Sequence, residues 1–173
     1  MGDGVRGQGR GQSRRRFIKG VLGGGVGASV AVVAGEARLP AQGGPIRAFD
    51  HVAVPMRNTD AMVSFYRALG FTVNESPRVC SVHFGDNKIN FHQPALWESG
   101  FTLRAPAAEP PCGDFCFVWD GTTAALEATL ERAGADVIEG PVDRTGGRDG
   151  GTASGVSHYI RDPDDNLLEF IIY

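Results

Sequence analysis

The alternation of apolar and polar positions predicts a repeated order of strands and one helix between residue 46 and the end of the chain. Residues 46–55 show a strand pattern, and the apolar residues from Ala61 to Leu69 recur every three or four positions, as in a helix. Gly70 ends this helix as a C-terminal cap. Three further strand patterns follow, over 71–74, 78–84 and 88–92. The first repeat therefore has the order β-α-β-β-β.

The same order recurs in the second half of the chain. A strand pattern over 114–119 precedes a helical pattern over 122–133, which Gly134 ends. Three strand patterns complete the repeat, over 136–139, 156–161 and 167–173. Internal similarity of this kind indicates two copies of one structural unit.

The spacing within the two repeats agrees as well. His51 lies 19 residues before Gly70, and Asp114 lies 20 residues before Gly134. The repeats predict an α+β fold in which two βαβββ modules form one curved mixed sheet. Module 1 covers residues 46–92, a linker covers 93–113, and module 2 covers 114–173. With one helix per module on one face, the opposite face is left free to enclose a cavity.

Two segments between these elements lack periodicity. The linker is rich in Pro, Ala and Gly, and its length of roughly twenty residues is typical of a lid rather than a tight connection. Residues 141–151 are rich in Gly and are interpreted as a flexible loop. Neither segment contains a motif that identifies a substrate.

Residues 162–166, which precede the last strand, have the composition of a tight turn. Pro163 presets φ for the first turn position. Asp165 or Asn166 tolerates a positive φ, so a turn without glycine is expected to form.

The closing strand places one carboxylate among aliphatic side chains. Because neighbouring side chains of a strand point to opposite faces, Leu168 and Phe170 share an apolar face. Glu169 lies on the other face, between Leu167 and Ile171. A buried carboxylate has to be paired, protonated or bound to a metal ion, which makes Glu169 a candidate functional residue.

The strands that begin and end the modules carry polar residues on the face away from the predicted helices. These residues are His51, Asn90, His92, Asp114 and Glu169. Imidazole and carboxylate groups on one side of a sheet are typical of a divalent metal site with positions open to water or substrate. His83 and His158 are instead assigned to the surface or to the rim of the cleft.

Residues 1–41 have the organisation of a secretory signal with a short linker. Arginines at 14–16 precede Phe17 and Lys19, and a weakly apolar, Gly-rich run over 20–35 follows. The run is too short and too rich in Gly for a stable membrane span. The segment resembles a twin-arginine export signal with cleavage near Ala37 or Ala41. That resemblance implies the twin-arginine export machinery as a partner and a periplasmic or extracellular location.

Removal of the signal leaves an acidic domain. Residues 1–37 contain six Lys and Arg against two Asp and Glu, a net charge of +4, so the total of −3 leaves −7 for the rest. An acidic domain without basic clusters argues against nucleic acid as a partner. Cys116 falls within an apolar strand pattern and is expected to be a small side chain that lines the cavity.

Three motifs resemble the vicinal oxygen chelate superfamily, which includes glyoxalase I, extradiol dioxygenases, and fosfomycin- and bleomycin-resistance proteins. The motifs are DHVAV at 50–54, FYRALGF at 65–71 and YIRDPDDNLLE at 159–169. Residues 84–92 and 139–146 are similar to motifs of small glyoxalase-domain-containing proteins. Together they imply the two-module fold already predicted from the repeats.

The resemblance implies metal ligands on the first and last strands of each module. His51 and Glu169 match two of these positions, and Asp114 stands where the family usually has His. Alignment of the repeats gives Asn90 at the fourth position. We expect His92, two residues further along the same face, to be the ligand, because neutral imidazole binds divalent metals better than an amide. The implied cofactor is a divalent ion such as Fe, Zn, Ni, Mn or Mg.

The resemblance also implies a reaction class. The metal would bind two vicinal oxygens of a small substrate, for isomerase or lyase chemistry or for extradiol ring cleavage. Asp114 or Glu169 would shuttle a proton, and Tyr159 matches a tyrosine that acts in extradiol dioxygenases. Export argues against a glutathione-based substrate, because glutathione is chiefly cytoplasmic.

Two alternatives stay open at this point. The chain can be a non-catalytic binding protein of the bleomycin-resistance type, which keeps the fold and the cavity and mostly lacks the metal ligands. The superfamily forms its sites within one chain or across a swapped dimer, so a homodimer is compatible with the sequence.

Overall fold

The computed structural model describes residues 45–173, so the predicted export signal and its cleavage positions lie outside the described residues. The elements of module 1 are β1 (His51–Pro55), α1 (Thr59–Ala68), β2 (Thr72–Glu75), β3 (Val79–Phe84) and β4 (Asn87–His92). The linker contains α2 (Pro94–Trp97). Those of module 2 are β5 (Asp114–Val118), α3 (Thr123–Ala133), β6 (Glu139–Thr145), β7 (Ser154–Arg161) and β8 (Leu167–Ile172). Within 45–173, no helix is long and apolar enough to cross a membrane.

The strands form two four-stranded mixed sheets, one from each module. The strand order is β1-β4-β3-β2 in the first sheet and β5-β8-β7-β6 in the second. In each sheet the first and last strands of the module pair in parallel, and the remaining pairs are antiparallel. The predicted α+β fold of two βαβββ modules is confirmed, but the strands form two sheets instead of the single curved sheet that was predicted, with β1 and β5 each at the edge of its own sheet.

The main differences from the sequence-based prediction lie in three segments, and the other strand boundaries shift by one or two residues. Residues 46–50 are exposed and lie outside β1, and the linker contains one short helix. A strand over 136–139 and a loop from 141 were predicted, whereas β6 begins at Glu139 and continues to Thr145. The pairing of β6 with β7 shifts between Glu139 and Val142. Pro141 lies in that irregularity of an edge strand, where proline is tolerated because its missing N–H is not needed.

The two modules share one hydrophobic core, which lies between the helix-facing sides of both sheets. Phe84 of β3 and Phe71 each pack against Phe117 of β5, with ring centroids 5.0 Å apart. Phe91 of β4 contacts Phe115 of β5 at 6.3 Å. Because the apolar sides of both sheets face this common core, the other side of each sheet lies away from it. We name these the first open face, on β1–β4, and the second open face, on β5–β8.

A buried polar turn between β7 and β8 joins the second module to the helix of the first. Asp162, Asp164 and Asn166 are 4%, 2% and 0% exposed, so their polar groups depend on partners within the protein. The Tyr66 hydroxyl of α1 donates to Asp162 Oδ2 at 3.0 Å. Burial raises the pKa of the Asp162 carboxyl, and the hydrogen bonds from Asn166, Tyr66 and Asp164 oppose that rise.

The same turn holds the start of α1 and the end of the linker. Asp164 accepts hydrogen bonds from the backbone N–H groups of Arg57 and Asn58, at 2.6 and 2.9 Å, and from Asn58 Nδ2 at 2.7 Å. A carboxylate at a helix N-terminus also interacts favourably with the helix dipole. Asn166 Oδ1 accepts from the backbone N–H groups of Cys112 and Gly113. Asp165 has φ +68°, in accord with the positive φ expected at Asp165 or Asn166.

Replacing Asp164 by Ala is expected to lower the free energy of unfolding by about 2–3 kcal/mol, because backbone donors at the start of α1 lose a charged acceptor. Asp165→Gly, one residue away, is the matched control. It removes a side chain from a left-handed position and is expected to be neutral or to stabilise by up to about 1 kcal/mol. Urea unfolding followed by circular dichroism measures both. Equal destabilisation by the two variants would contradict a specific role of Asp164.

Candidate functional site

On the first open face, His51 is oriented by the residue before it. Its Nδ1 lies 2.6 Å from Asp50 Oδ1, and the imidazole is 46% exposed. The hydrogen bond and the charge of His51 lower the pKa of the Asp50 carboxyl. In a neutral imidazole, an Nδ1 that donates to Asp50 leaves Nε2 as the nitrogen with the lone pair. A carboxylate behind the imidazole is the usual arrangement for a metal-binding histidine.

The register of β1 and β4 favours Asn90 over His92 as the neighbour of His51. Asn90 pairs with Ala53, two residues from His51, whereas His92 pairs with Pro55, four residues from it. At roughly 3.3 Å per residue, His51 and His92 are about 13 Å apart along the strands. Two imidazoles at that separation do not reach one ion, whose Zn–N bonds, for example, are about 2.1 Å long.

His92 has a different environment from the one expected of a ligand. It is 9% exposed, and its ring packs in a T-shaped arrangement against Phe101 of the linker, with the ring centroids 5.7 Å apart. Burial lowers the pKa of His92, which favours neutral imidazole. The sequence-based preference for His92 was chemically reasonable, but it did not include the strand register, which places His92 beside the linker.

On the second open face, Glu169 lies at the centre of the sheet between two register partners. Cys116 of β5 pairs with it on one side, and Tyr159 of β7 pairs with it on the other. Ser157 Oγ, also on β7, donates to Glu169 Oε1 at 2.5 Å. Asp114 is exposed and lies two residues before Cys116 on the same face. The face therefore carries two carboxylates together with a thiol and two hydroxyl groups.

The carboxylates change the acidity of their neighbours. Burial raises the pKa of the Cys116 thiol to about 12, and the charges of Glu169 and Asp114 add to that effect. Burial also raises the pKa of the Tyr159 hydroxyl, as does the charge of Glu169, whereas a hydrogen bond from Arg144 lowers it. Both groups are therefore neutral near pH 7 and are available as hydrogen-bond donors.

The predicted ligands form two half-sites, one on each open face. Within residues 45–173, no three His, Cys, Asp or Glu side chains converge tightly enough to hold one metal ion. His51 and Glu169 each have the supporting hydrogen bond expected of a ligand, but they belong to the open faces of two different sheets. Each face of the described chain therefore carries part of the predicted ligand set, together with the hydrogen bond that orients one of its members. The predicted placement of imidazole and carboxylate on the same side of one sheet is wrong, because His51 lies in the first sheet and Glu169 lies in the second. Their roles as ligands stay predictions.

A cavity of about 950 Å³ lies between the two modules, separate from most of the predicted ligands. The segment Ile46–Asp50, the apolar residues Val52, Phe84 and Ile89, and residues 114–117 line it. Of the predicted ligands, Asp114 contributes to the lining, and His51, His92 and Glu169 do not. The cavity therefore meets the half-sites only at Asp50, Asp114 and Cys116 in the described part of the chain.

Three residues beside the half-sites were not predicted from the sequence as site residues. Asp50 directly precedes His51, and Ser157 lies two residues before Tyr159, on the same face of the strand. Both positions could therefore have been recognised from the strand pattern. Arg144 had none, because its segment was interpreted as a loop. His158 was assigned to the surface or cleft rim and is instead 1% exposed, with neither ring nitrogen hydrogen-bonded and Nε2 3.6 Å from Glu127.

Residues 48–170 match the family model described as the Glyoxalase/Bleomycin resistance protein/Dioxygenase superfamily. The chain is 34% identical over 129 residues to the glyoxalase domain-containing protein RDO1 of Mycosarcoma maydis, which covers 74% of this chain and 69% of that protein. It is also 34% identical over 126 residues to virulence protein STM3117 of Salmonella typhimurium. This alignment covers 72% of this chain and 83% of that protein.

Solved structures of similar proteins have the same fold. The crystal structure of STM3117 superposes with a TM-score of 0.64 at 32% identity and covers 74% of this chain and 98% of that one. The integron cassette protein VCH_CASS1 from the mobile metagenome of V. cholerae gives a TM-score of 0.65 at 30% identity. The superposition covers 74% of this chain and 96% of that one. The family match spans both modules rather than one of them.

Glu169→Gln is expected to make Cys116 more reactive towards iodoacetamide in the metal-free protein. Loss of the carboxylate charge lowers the pKa of Cys116, and the thiolate fraction rises about tenfold for each unit of that decrease while the pH stays below the pKa. Cys112, which does not pair with Glu169, is the internal control. Peptide mapping by mass spectrometry measures both rates. An unchanged Cys116 rate would show that the two side chains do not interact.

Proposed function

Because the chain belongs to the Glyoxalase/Bleomycin resistance protein/Dioxygenase superfamily, we propose that it binds two vicinal oxygens of a small substrate at a divalent metal held between two copies of the chain. The reaction class is isomerase or lyase chemistry, or extradiol ring cleavage. The observation that carries this proposal is the division of the ligand residues between two open faces of one chain. Each face supplies half of a site, and a second copy supplies the other half.

The geometry of the edges supports this assembly. β1 and β5 are edge strands, so one side of each strand has no pairing strand in its own sheet. A symmetric pair of chains would place the first open face of one copy opposite the second open face of its partner, and it would do so twice. Each assembled site would then combine His51 and Asn90 with Asp114 and Glu169.

Each residue has a role that follows from its contacts. His51 offers Nε2 while Asp50 holds its ring, and Glu169 offers a carboxylate oxygen while Ser157 holds the other. A bound divalent metal would supply Lewis-acid stabilisation of an enediolate or catecholate. Asp114 is exposed at the edge of the second open face, where a carboxylate can accept a substrate proton. Tyr159 is neutral and donates a hydrogen bond.

Complementation between two inactive variants tests the assembly. His51→Ala and Glu169→Ala are each expected to abolish tight metal binding, because every site loses one ligand. When the two variants are co-expressed with different tags and the mixed dimer is purified, one of its sites contains both mutations and the other contains neither. The mixed dimer is therefore expected to regain one site, measured by elemental analysis and by isothermal titration with Zn²⁺ or Mn²⁺.

His83→Ala is the matched control, since this histidine lies on the first open face and is hydrogen-bonded to Asn74. It is expected to keep the metal content of the natural chain. A mixed dimer without metal, formed from variants that fold normally, would contradict a site shared between copies. Absence of metal binding by the natural chain at micromolar concentration would overturn the metal-dependent function itself.

A second candidate is a non-catalytic protein that sequesters a small molecule. Asn90 supports it, because this amide occupies the position that corresponds to Glu169 and its Oδ1 accepts a hydrogen bond from Ser81. An amide is a weaker ligand than the carboxylate at the equivalent place. A panel of catechols and 2-oxoaldehydes distinguishes the candidates. Undiminished affinity of His51→Ala for a panel compound that is not converted would favour sequestration.

We also propose that the protein reaches the periplasm or the extracellular space through the twin-arginine route, on the strength of the residue pattern in 1–41. Replacement of both Arg14 and Arg15 by Lys is expected to leave the protein in the cytoplasm, because the receptor recognises the arginine pair. Cell fractionation and immunoblotting measure the distribution. Arg6→Lys with Arg10→Lys is the control and is expected to export normally. Export of both variants alike would contradict the proposal.

A further inference from the structure

Arg144 of β6 makes three hydrogen bonds on the second open face. Its Nε donates to the Tyr159 hydroxyl oxygen at 3.0 Å, and Nη2 donates to Glu139 Oε1 at 2.7 Å. Nη1 donates to the backbone carbonyl of Asp143 at 3.1 Å. The guanidinium carbon lies 5.3 Å from the centroid of the Tyr159 ring. With three donor groups used and the ring stacked, the position of this arginine is well defined.

The direction of the Arg144–Tyr159 hydrogen bond follows from chemistry. A guanidinium group contains donors and no acceptor, so the Tyr159 oxygen is the acceptor in this pair. The hydroxyl proton of Tyr159 must therefore be directed away from Arg144. The bond thus converts a group that can donate or accept into a donor towards the rest of the face.

The strand order defines where that proton is directed. β7 lies between β6 and β8, so Tyr159 has Arg144 on one side and its register partner Glu169 on the other. Ser157 already donates to one oxygen of Glu169. The Tyr159 hydroxyl can therefore donate to the second carboxylate oxygen of Glu169, or to a substrate oxygen that lies beside Glu169.

We propose that Arg144 is a positioning residue that holds Tyr159 as a hydrogen-bond donor towards Glu169 and towards a negatively charged substrate oxygen next to it. Glu139 in turn anchors Arg144 through an ion pair at the edge of the sheet. The part of this inference that concerns substrate rests on the proposed function. The substrate class is one that presents an enolate or catecholate oxygen to the Tyr159 hydroxyl.

The first test needs neither metal nor substrate. In nitrogen-15 NMR spectra of the full chain, the Nε–H of Arg144 is expected to exchange slowly with water because it is hydrogen-bonded to Tyr159. Tyr159→Phe is expected to remove that protection. Tyr173→Phe is the matched control, because it removes the hydroxyl of a tyrosine that packs against a different arginine. The guanidinium carbon of Arg148 lies 4.3 Å from the centroid of the Tyr173 ring. Unchanged Arg144 protection in Tyr159→Phe would overturn the proposal.

The second test uses 4-nitrocatechol as a probe, with the metal-loaded protein. Arg144→Met and Tyr159→Phe are each expected to weaken binding by about tenfold, the size of one hydrogen bond to a charged group. The double variant is expected to be no weaker than Tyr159→Phe alone, because Arg144 acts through Tyr159. Arg148→Met is the control and is expected to bind as the natural chain does.

The outcomes separate this inference from the function on which it rests. If the losses of affinity for 4-nitrocatechol in the two single variants multiply in the double variant, Arg144 contacts the probe directly. That result would overturn a positioning role. Failure of the natural chain to bind metal or 4-nitrocatechol would overturn the proposed function. Loss of Arg144 protection in Tyr159→Phe would still support the part of the inference that concerns Arg144 and Tyr159.

Discussion

The buried turn between β7 and β8 is the interaction on which the arrangement of the two modules depends. Its polar side chains lie in the interior, where an unpaired carboxylate or amide would be costly, and they are satisfied by groups from elsewhere in the chain. Asp162 binds the helix of module 1, Asp164 binds the start of that helix, and Asn166 binds the end of the linker. These directional contacts fix an orientation that the shared apolar core alone would specify less sharply.

That orientation determines what one chain can do. Since the helix-facing sides of both sheets are joined in a single core, the predicted ligands lie on the other side of each sheet and are divided between two faces. The hydrogen bonds that orient His51 and Glu169 are nevertheless already present in the described structure. In the proposed dimer, each half-site would therefore be preorganised, and assembly of a complete site would need contact between chains and little rearrangement within each one.

Much of the fold could be predicted because its signals are local. The spacing of apolar residues gives α1 and α3, and Gly134 is the left-handed cap of α3, with φ +67°. Strand alternation correctly separates the core side of β8 from the side that carries Glu169. The orientation of one module relative to the other depends on contacts between residues about 100 positions apart, for which alternation contains no information.

The candidate site was predicted in part for the same reason. The faces of His51, Tyr159 and Glu169 follow from alternation within a strand, whereas the choice between Asn90 and His92 requires the register between strands. Arg144 was missed because Pro141 and the neighbouring glycines are typical of a loop. The edge strand tolerates them through the irregular pairing of β6 with β7.

The separation between Asp164 and the helix that it binds has a consequence for the order of folding. The carboxylate that binds the start of α1 is 106 residues away from Asn58. During synthesis, which proceeds from the N-terminus, module 1 is therefore made long before this partner. The helix and the first sheet can form early, but their buried polar contacts close only after the turn between β7 and β8 has been made. Folding to the final state therefore depends on contacts of large sequence separation that involve the whole described domain.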